Sequence, residues 1–512
     1  MQELKGKQEL KGKRNLHLKS NHPMQAGLYI HIPFCKKKCN YCDFYSVAAT
    51  NRIDEFIAAL KREMDLCRNW LAGGMGGPIE PMGLGGPGGS GGPDGSGRPD
   101  GSGRPDGSGR PDGSDRPDGS DSPDVPDSHN SRPDSQDSPD GCYDGYDDSY
   151  ACSGSYDSCG SYDTLFLGGG TPSLLSTRQL AEIVAKVQET FSFTPSVEWT
   201  IEANPDDVTL PYLHDLRSLG FNRLSLGIQS LRDENVTWLG RRHTAAQGVR
   251  AIENARLSGF DNLSIDLIYG LPARLPGSSL NSQSSLNSRS PLNSPISSNS
   301  RSPLTQWLQE LEQVLAYKPE HLSCYQLSYE PHTRLSVQRS RGLIQPLDER
   351  KEARYFLETS RMLESAGYWH YEVSNFSRGE EWTCRHNRKY WQHVPYLGLG
   401  PAAHSFSRNQ RHWNHRSLSL YCQSLQQGVL PIAGEEHLGP EELRLETLYL
   451  GFRTRWGIHL GDFLRHHGQD LLSNPPGMAS RLIDEKKLEV RGGRLCPTPR
   501  GLAVADSLAL LW

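Results

Sequence analysis

The sequence lacks any run of about 18 apolar residues, the minimum for a membrane-spanning helix, so we expect no transmembrane span. The amino-terminal repeat QELKGKQELKGK has no apolar stretch of the kind found in secretory signals. Glu3 and Glu9 interrupt its basic run, which also disfavours a transit peptide. The chain has 11 cysteines, an odd number, and no visible export signal, so we expect a reducing, cytoplasmic location without a disulfide framework.

Apolar residues are also scarce overall, at 35% of 512 residues, but the shortage is local. Residues 72–162 are almost wholly Gly, Pro, Ser and Asp, and 273–303 repeats Ser, Asn, Leu and Arg. Such segments bury too little apolar surface to offset their chain entropy, so we expect two disordered insertions and a disordered basic tail over 1–26. Outside these stretches the charges balance, which argues against a nucleic-acid partner. Three cysteines of the first insertion have no metal-ligand spacing: Cys142, Cys152 and Cys159.

Short β-type runs alternate with helical patterns through most of the remaining chain. The predicted strands are 28–34, 163–167, 197–203, 222–228, 262–268 and 321–327. The predicted helices are 51–70, 177–190, 210–219, 244–258, 304–317 and 348–366. Six β–α units in series predict a parallel sheet, because each crossover helix returns the chain to the same edge. Six units are too few for a closed eight-fold barrel, so we expect an α/β fold with a partial (β/α)6 TIM-like barrel; a doubly wound sheet is the alternative.

The pattern changes after about residue 430. A helical stretch over 441–453 precedes GIHLGDFLRHH, and the chain then reads as a strand, a Gly-Gly turn, a second strand and a helix. This order predicts a small, winged-helix-like α+β module over 431–512. Winged helices often bind DNA, but this module has no basic stripe, so we expect no nucleic acid there.

The strongest chemical signal is a group of three cysteines, Cys35, Cys39 and Cys42, directly after the first predicted strand. A structural zinc site needs four ligands, and no second CxxC or HxxxH pair lies nearby in the sequence. An iron–sulfur cluster held by three thiolates leaves one iron without a protein ligand, and that iron can bind a small molecule. We therefore favour an iron–sulfur cluster, with a structural zinc knuckle as the alternative.

The motifs around this triplet make the pattern specific. The C-x3-C-x2-C spacing resembles the signature of radical S-adenosylmethionine (SAM) proteins. YIHIPFCKKKCNYCDF, FLGGGTPSLL, IEANPDD, GFNRLSLGIQS, LGRRHT and IDLIYGLP together resemble the HemN/HemW family. This family contains oxygen-independent coproporphyrinogen III dehydrogenases and their haem-chaperone relatives. The resemblance implies a radical SAM barrel over 27–345, interrupted by the two insertions, and a HemW-type extension over 346–430.

The resemblance also implies the cofactors. Cys35, Cys39 and Cys42 would ligate a [4Fe-4S] cluster whose open iron chelates S-adenosyl-L-methionine. An electron, supplied by a donor such as a flavodoxin or ferredoxin, would cleave SAM into methionine and a 5′-deoxyadenosyl radical. By motif position, the expected SAM contacts are Tyr29, Gly169, Gly170, Thr171, Glu202, Gln229, Arg241 and Asp266.

Several of these contacts have structural alternatives when the residues are considered alone. The glycines are also typical of a tight turn between strand and helix. Glu202 would serve equally as a helix cap, and Arg241 would pair with Asp266 as an internal ion pair.

Two features distinguish the branches of the family. The dehydrogenases carry a fourth cysteine two positions after the third, where this chain has Phe44. The segment from His386 to Trp391 matches the HNxxYW motif associated with HemW proteins. The resemblance therefore implies a haem chaperone that passes haem to acceptor proteins, without coproporphyrinogen oxidase activity, rather than an enzyme of porphyrin biosynthesis.

The haem ligand is less well defined by the sequence. His386 would supply an imidazole to the haem iron, with Tyr390 and Trp391 covering the macrocycle. The alternative is that His386 is a hydrogen-bonded residue that fixes a loop; Cys384 and His404 are weaker candidates as ligands. Two other functions stay open: an oxygen-independent coproporphyrinogen III dehydrogenase, and a radical SAM enzyme acting on another substrate. Any membrane association would be peripheral.

Overall fold

A computed structural model of the chain describes residues 25–72, 161–272 and 302–512. Most of both predicted insertions, together with the tail over 1–24, lies outside these ranges. Cys142, Cys152 and Cys159 are likewise outside the described residues.

The boundaries predicted for the two insertions include a few residues that belong to helices and strands. Ala72 ends a helix, Tyr162 begins a strand and Pro303 begins a helix. Tyr162 is buried, with its ring edge-on to Phe191 at 5.5 Å, so it belongs to the core. Pro303 occupies the first helical turn, where its fixed φ and missing N–H cost nothing.

The described residues form strands and helices with the following bounds. The strands are β1 Gly27–Ile32, β2 Tyr162–Gly169, β3 Phe193–Ala203, β4 Arg223–Gln229, β5 Leu263–Tyr269, β6 His321–Gln326, β7 Trp369–His370, β8 Asn375–Ser377, β9 Tyr396–Leu399, β10 His404–Ser407, β11 Gln410–Asn414, β12 Ile432–His437, β13 Ile458–His459, β14 Leu488–Arg491 and β15 Arg494–Pro497. The α-helices are α1 Ile53–Ala72, α2 Thr177–Thr190, α3 Leu210–Ser218, α4 Asp233–Trp238, α5 Ala245–Leu257, α6 Pro303–Ala316, α7 Arg334–Ser340, α8 Glu349–Ser365, α9 Arg385–Trp391, α10 Leu418–Gln426, α11 Pro440–Gly451, α12 Leu460–His467, α13 Met478–Asp484, α14 Pro499–Leu502 and α15 Ala505–Ala509.

The six predicted strands form one parallel sheet in chain order, β1 to β6, with helices in the crossovers. The partial (β/α)6 barrel is therefore confirmed. The sheet continues at both edges, because β9 pairs parallel with β1 and β8 pairs antiparallel with β6. Strands β10 to β12 follow β9, so one sheet crosses the predicted domain boundaries at 345 and 430, which stay predictions.

The crossover helices are amphipathic and lie against the sheet. Helix α2 begins with a capping box in which Ser176 and Gln179 satisfy each other's backbone N–H groups. Its buried residues recur with helical spacing, so one face of the helix is apolar. These residues are Leu180, Ile183, Val184 and Val187.

The carboxyl-terminal region forms the predicted α+β module. Strands β13, β15 and β14 make a small antiparallel sheet, and Gly492 and Gly493 turn the chain between β14 and β15 with positive φ angles of 56° and 75°. This region has its own apolar core, which includes Phe452, Phe463 and Leu495. In the ranges that the structure describes, no helix is long and apolar enough to cross a membrane.

Candidate functional site

The cysteine triplet lies on a loop that leaves the carboxyl end of β1. The Cys35 N–H donates to the Val47 carbonyl at 3.1 Å and the Val47 N–H to the Pro33 carbonyl at 2.7 Å, so the base of the loop is closed. Asn40, inside the motif, is buried and its side chain donates to the Trp238 carbonyl at 2.7 Å. The loop is thereby held against helix α4.

A chain of hydrogen bonds joins two of the three cysteines. The Thr171 hydroxyl lies 3.3 Å from Cys35 Sγ and accepts from the Asn204 amide at 3.2 Å. The Arg241 guanidinium donates to Asn204 Oδ1 at 2.5 Å and, through Nη1, to Cys39 Sγ at 3.5 Å. Motifs from four separate parts of the sequence therefore meet around the triplet.

The three thiols fit an iron–sulfur cluster better than a single ion. All three are free and partly buried, and burial raises the pKa of Cys42 to about 11, with Cys39 and Cys35 adding to the rise. Among the described side chains, no three Cys, His, Asp or Glu groups converge closely enough to hold one metal ion. A tetrahedral zinc site needs such convergence, whereas a four-iron cluster separates three soft thiolate ligands onto three irons.

The glycine run after β2 is shaped by close backbone contacts. Gly169 has a φ of 103°, and its N–H donates to Glu202 Oε2 at 3.1 Å. A Cβ added to Gly170 would lie 2.7 Å from the Phe34 carbonyl oxygen, so glycine is required there. These contacts fit the structural alternative of a tight turn between strand and helix, and contact of the two glycines with SAM stays a prediction.

Gln229 and Arg241 converge on Gly227 near the end of β4. Gln229 has a left-handed φ of 66°, which a non-glycine residue adopts at a cost. A Cβ added to Gly227 would lie 3.0 Å from both the Gln229 amide and the Arg241 guanidinium. Arg241 also donates to the Gly227 carbonyl at 2.7 Å, so its partners are not those of an ion pair with Asp266.

Tyr29, Glu202 and Asp266 line a cavity of about 240 Å³ in the barrel lumen. Burial, followed by the charge of Asp266, raises the pKa of Glu202 to about 8, although the Gly169 N–H opposes the rise. Burial also raises the pKa of Asp266, which accepts from the Ser225 hydroxyl at 3.0 Å. Tyr29 shares a hydrogen bond of 3.1 Å with His31 Nδ1. The eight predicted contacts thus divide into five around the cysteine loop and three in the lumen.

The sequence analysis missed a buried cation in the same lumen. Arg223 is 2% exposed, donates to Asn262 Oδ1 at 2.7 Å, and its Nε has no hydrogen-bond partner among the described residues. The signal was available, because Arg223 stands in the apolar strand NRLSLGI just as Asp266 stands in NLSIDLI. Other polar residues of the lumen that were missed are Ser225, Ser264, His321 and Ser323.

The HNxxYW segment forms helix α9, which closes the lumen at the amino ends of the strands. His386 is 1% exposed, and its Nδ1 and Nε2 share hydrogen bonds with the Thr164 hydroxyl at 2.8 Å and the Tyr390 hydroxyl at 2.9 Å. Its ring stacks on Phe166 at 5.2 Å. Burial, and then the charge of Lys389, lower the pKa of His386 to about 3, so its ring is neutral and both nitrogens are engaged.

The two weaker candidates for the haem ligand lie in different places. Cys384 is buried beside the lumen, and burial raises the pKa of its thiol to about 12. His404 is exposed at the start of β10, where its ring stacks on Trp413 at 5.8 Å.

Comparisons with known proteins agree with this architecture. Residues 156–274 match the Radical SAM superfamily and residues 438–504 match the HemN C-terminal domain. The first match begins beyond the cysteine triplet, which residues 73–160 separate from the rest of the barrel. The solved structure of coproporphyrinogen III oxidase (HemN) from Escherichia coli has a TM-score of 0.63 at 17% identity, covering 96% of this chain and 91% of that one, and so shares the fold.

Two curated relatives are similar in sequence over most of their length. Heme chaperone HemW from Mycobacterium tuberculosis is 31% identical over 347 residues, which cover 67% of this chain and 79% of the relative. Radical S-adenosyl methionine domain-containing protein 1, mitochondrial, from Mus musculus is 33% identical over 362 residues, which cover 68% and 75%. The chain therefore belongs to the HemW family of radical SAM proteins.

Proposed function

We propose that this chain is a haem chaperone that binds haem and delivers it to acceptor proteins, and that it lacks coproporphyrinogen III oxidase activity. The mycobacterial relative carries the name heme chaperone. Membership of the radical SAM superfamily implies a [4Fe-4S] cluster and SAM as cofactors.

The residues of the cysteine loop and its surroundings would hold these cofactors. Cys35, Cys39 and Cys42 would ligate the cluster, which when bound supplies the electron that cleaves SAM. The proposed SAM contacts are Tyr29, Gly169, Gly170, Thr171, Glu202, Gln229, Arg241 and Asp266. Arg241 would offer the remaining N–H of Nη1 to a ligand carboxylate, because Nη2 already donates to Asn204 and to the Gly227 carbonyl.

The packing of helix α9 across the amino-terminal end of the lumen is the observation that carries the proposal. The lumen contains a cavity of about 240 Å³ that is lined by polar side chains such as Glu202, Arg223 and Asp266. Helix α9 closes its amino-terminal end, where Lys389 contacts both Asp163 and the Gln25 carbonyl. This supports a protein that handles its tetrapyrrole outside the barrel, and disfavours one that decarboxylates a porphyrinogen inside it.

Phe44 supports the same conclusion. It occupies the position at which the dehydrogenases of the family carry a fourth cysteine, and its ring is 64% exposed. A phenyl ring neither ligates iron nor donates a labile hydrogen atom.

Two anaerobic experiments on the reconstituted chain test the proposal. Incubation with coproporphyrinogen III, SAM and a reductant should give no vinyl product, and titration with haemin should give a saturable Soret shift. The Phe44→Cys variant should also give no product, because helix α9 still closes the amino-terminal end of the lumen. Vinyl product from the wild-type chain would establish the dehydrogenase function instead, and absence of a Soret shift would remove the chaperone function.

A further inference from the structure

A haem chaperone must release its cargo, so its axial ligand has to be reachable from solvent. His386 fails this requirement, because both of its nitrogens are engaged inside the protein and its ring is buried between Thr164 and Tyr390. Ligation by His386 would require helix α9 to leave the barrel. The site of the cargo is therefore to be sought at an accessible imidazole elsewhere.

His404 has the properties that His386 lacks. It is exposed at the first position of β10, and among the described residues no group hydrogen-bonds to its ring. It stands opposite Trp413 in the antiparallel β10–β11 pair, with the two rings 5.8 Å apart and inclined by 29°. An exposed imidazole thus lies beside a large aromatic surface.

The Trp413 ring packs over β12 because its cross-strand neighbour on that strand is a glycine. Gly434 pairs with Trp413 across β11 and β12, and a Cβ added to Gly434 would lie 2.6 Å from the indole ring. The indole therefore covers the glycine backbone of β12, and its near-parallel packing beside His404 fixes the orientation of the imidazole.

Two arginines lie on this part of the sheet, and the Ala402 N–H donates to the His415 carbonyl at 3.1 Å, so the segment of Arg416 runs beside the turn that leads into β10. Arg416 is exposed and donates to the Asp43 carbonyl at 3.0 Å, while Arg411 pairs with Glu436 and Glu446. Loss of solvent around its ring, and then the charge of Arg411, lower the pKa of His404, so the imidazole is neutral at pH 7 with a free lone pair. Arg416 keeps donors available for the carboxylates of a ligand.

The cysteine loop lies next to this position. Arg416 contacts Asp43, and the Leu418 N–H donates to the Tyr45 hydroxyl at 2.7 Å, so the exposed Phe44 stands between two residues tied to this edge of the sheet. His404 also lies close to β1, because its carbonyl packs against Gly398 of β9, and Gly398 pairs with Tyr29 of β1.

We propose that His404 is the axial ligand of the haem iron, with Trp413 orienting its imidazole and Arg416 pairing with a propionate. These three residues are called the rim site. This inference rests on the proposed chaperone function, and it assigns the cargo an exposed, single-histidine site from which an acceptor protein can remove it.

Haemin titration of the full reconstituted chain tests the rim site. The His404→Ala variant should bind haemin at least about tenfold more weakly, because even outer-shell residues of metal sites change affinity by that factor. Added imidazole should restore the wild-type Soret band. The matched control is His437→Ala, since His437 is exposed on the neighbouring strand β12 and should be dispensable.

A second variant keeps the test decisive if His404→Ala folds poorly. His404→Tyr offers a phenolate in place of the imidazole, so the visible and electron paramagnetic resonance spectra of the complex should change while the protein stays folded. Wild-type affinity and spectrum in both variants would overturn the rim site and leave the chaperone function intact. A wild-type chain that binds no haemin would overturn both.

Discussion

Helix α9, at the amino-terminal end of the barrel, and the rim site each contain a histidine next to aromatic rings. The two histidines differ in burial and in hydrogen bonding. In helix α9, His386 is buried and hydrogen-bonded at both nitrogens, whereas in the rim site His404 is exposed beside Trp413. His386 belongs to the HNxxYW motif that is associated with HemW proteins, and the residues of the rim site lie outside that motif. The comparison teaches that a family motif need not mark the ligand itself, because residues that fix a fold leave equally clear sequence patterns.

The largest expected effect is loss of the cluster while haem binding at the rim site is retained. Alanine at Cys35, Cys39 or Cys42 should abolish the brown visible absorbance and the bound iron of the anaerobically reconstituted protein, because three thiolates are needed to hold the cluster. Haemin affinity should persist, because His404, and not the cluster, ligates the haem iron. Iron analysis and haemin titration check both parts, with Cys67→Ala, a buried thiol in helix α1, as the control. Zinc in the wild-type protein, or retention of iron by the variants, would contradict the assignment.

Unfolding experiments should sharpen the contrast between the two histidines. His386→Ala should lower the free energy of unfolding by about 3 kcal/mol, because it leaves a cavity and unpaired Thr164 and Tyr390 hydroxyls. His404→Ala should change it by less than about 0.5 kcal/mol, as is usual for an exposed side chain. Denaturant titration of both variants measures the difference. Equal destabilisation would mean that His404 is structural too.

Most of the fold could be predicted because local pattern and packing agree. In the strand runs around Ile30, Ile201 and Leu224 the apolar residues are buried as expected on the face that the helices cover. The expectation that both faces are apolar was wrong, because the face towards the lumen carries polar residues such as Glu202 and Arg223. The exceptions were the strands that lengthen the sheet. Strand β9 contains YLGL, which is too short to predict as a strand, and it pairs with β1 only because the chain returns from a distant position.

The candidate site could be predicted only where a motif carried it. The motifs predicted that Thr171 and Arg241 contact the same ligand, but Asn204, which joins them, was not singled out although it lies in the motif IEANPDD. Arg223 and His404 were missed or ranked low for a different reason. Their significance depends on burial and on free hydrogen-bonding capacity, and neither property is visible until neighbouring strands are placed.

The pH dependence of stability should give a third difference between the two regions, because Glu202 is buried in the lumen whereas Glu436 at the edge of the sheet is exposed. The pKa of Glu202 is raised to about 8, so the folded protein keeps a proton that the unfolded chain loses near pH 4.5. Its contribution to stability is therefore full below that pH and is lost as the pH rises towards 8.

The Glu202→Gln variant should show this loss directly. In the absence of SAM, its free energy of unfolding should fall less steeply between pH 5 and pH 8, by up to about 1.4 kcal/mol per pH unit. Glu436→Gln at the exposed rim should leave the wild-type slope unchanged. Parallel slopes for all three proteins would show that Glu202 ionises normally.

The smallest expected effect concerns Arg416. Its guanidinium is exposed, so a single pair with a haem propionate should be worth no more than about 1 kcal/mol, or roughly a fivefold change in affinity. Arg416→Ala should therefore weaken haemin binding about threefold to fivefold and reduce its dependence on salt, while the Soret position stays that of the wild type because His404 still ligates the iron. Haemin titrations at low and high ionic strength measure this, with Arg500→Ala on the carboxyl-terminal module as the control. A shifted Soret band would show that Arg416 acts on the axial ligand His404 rather than on the haem propionates. An unchanged affinity would show that the propionates bind elsewhere.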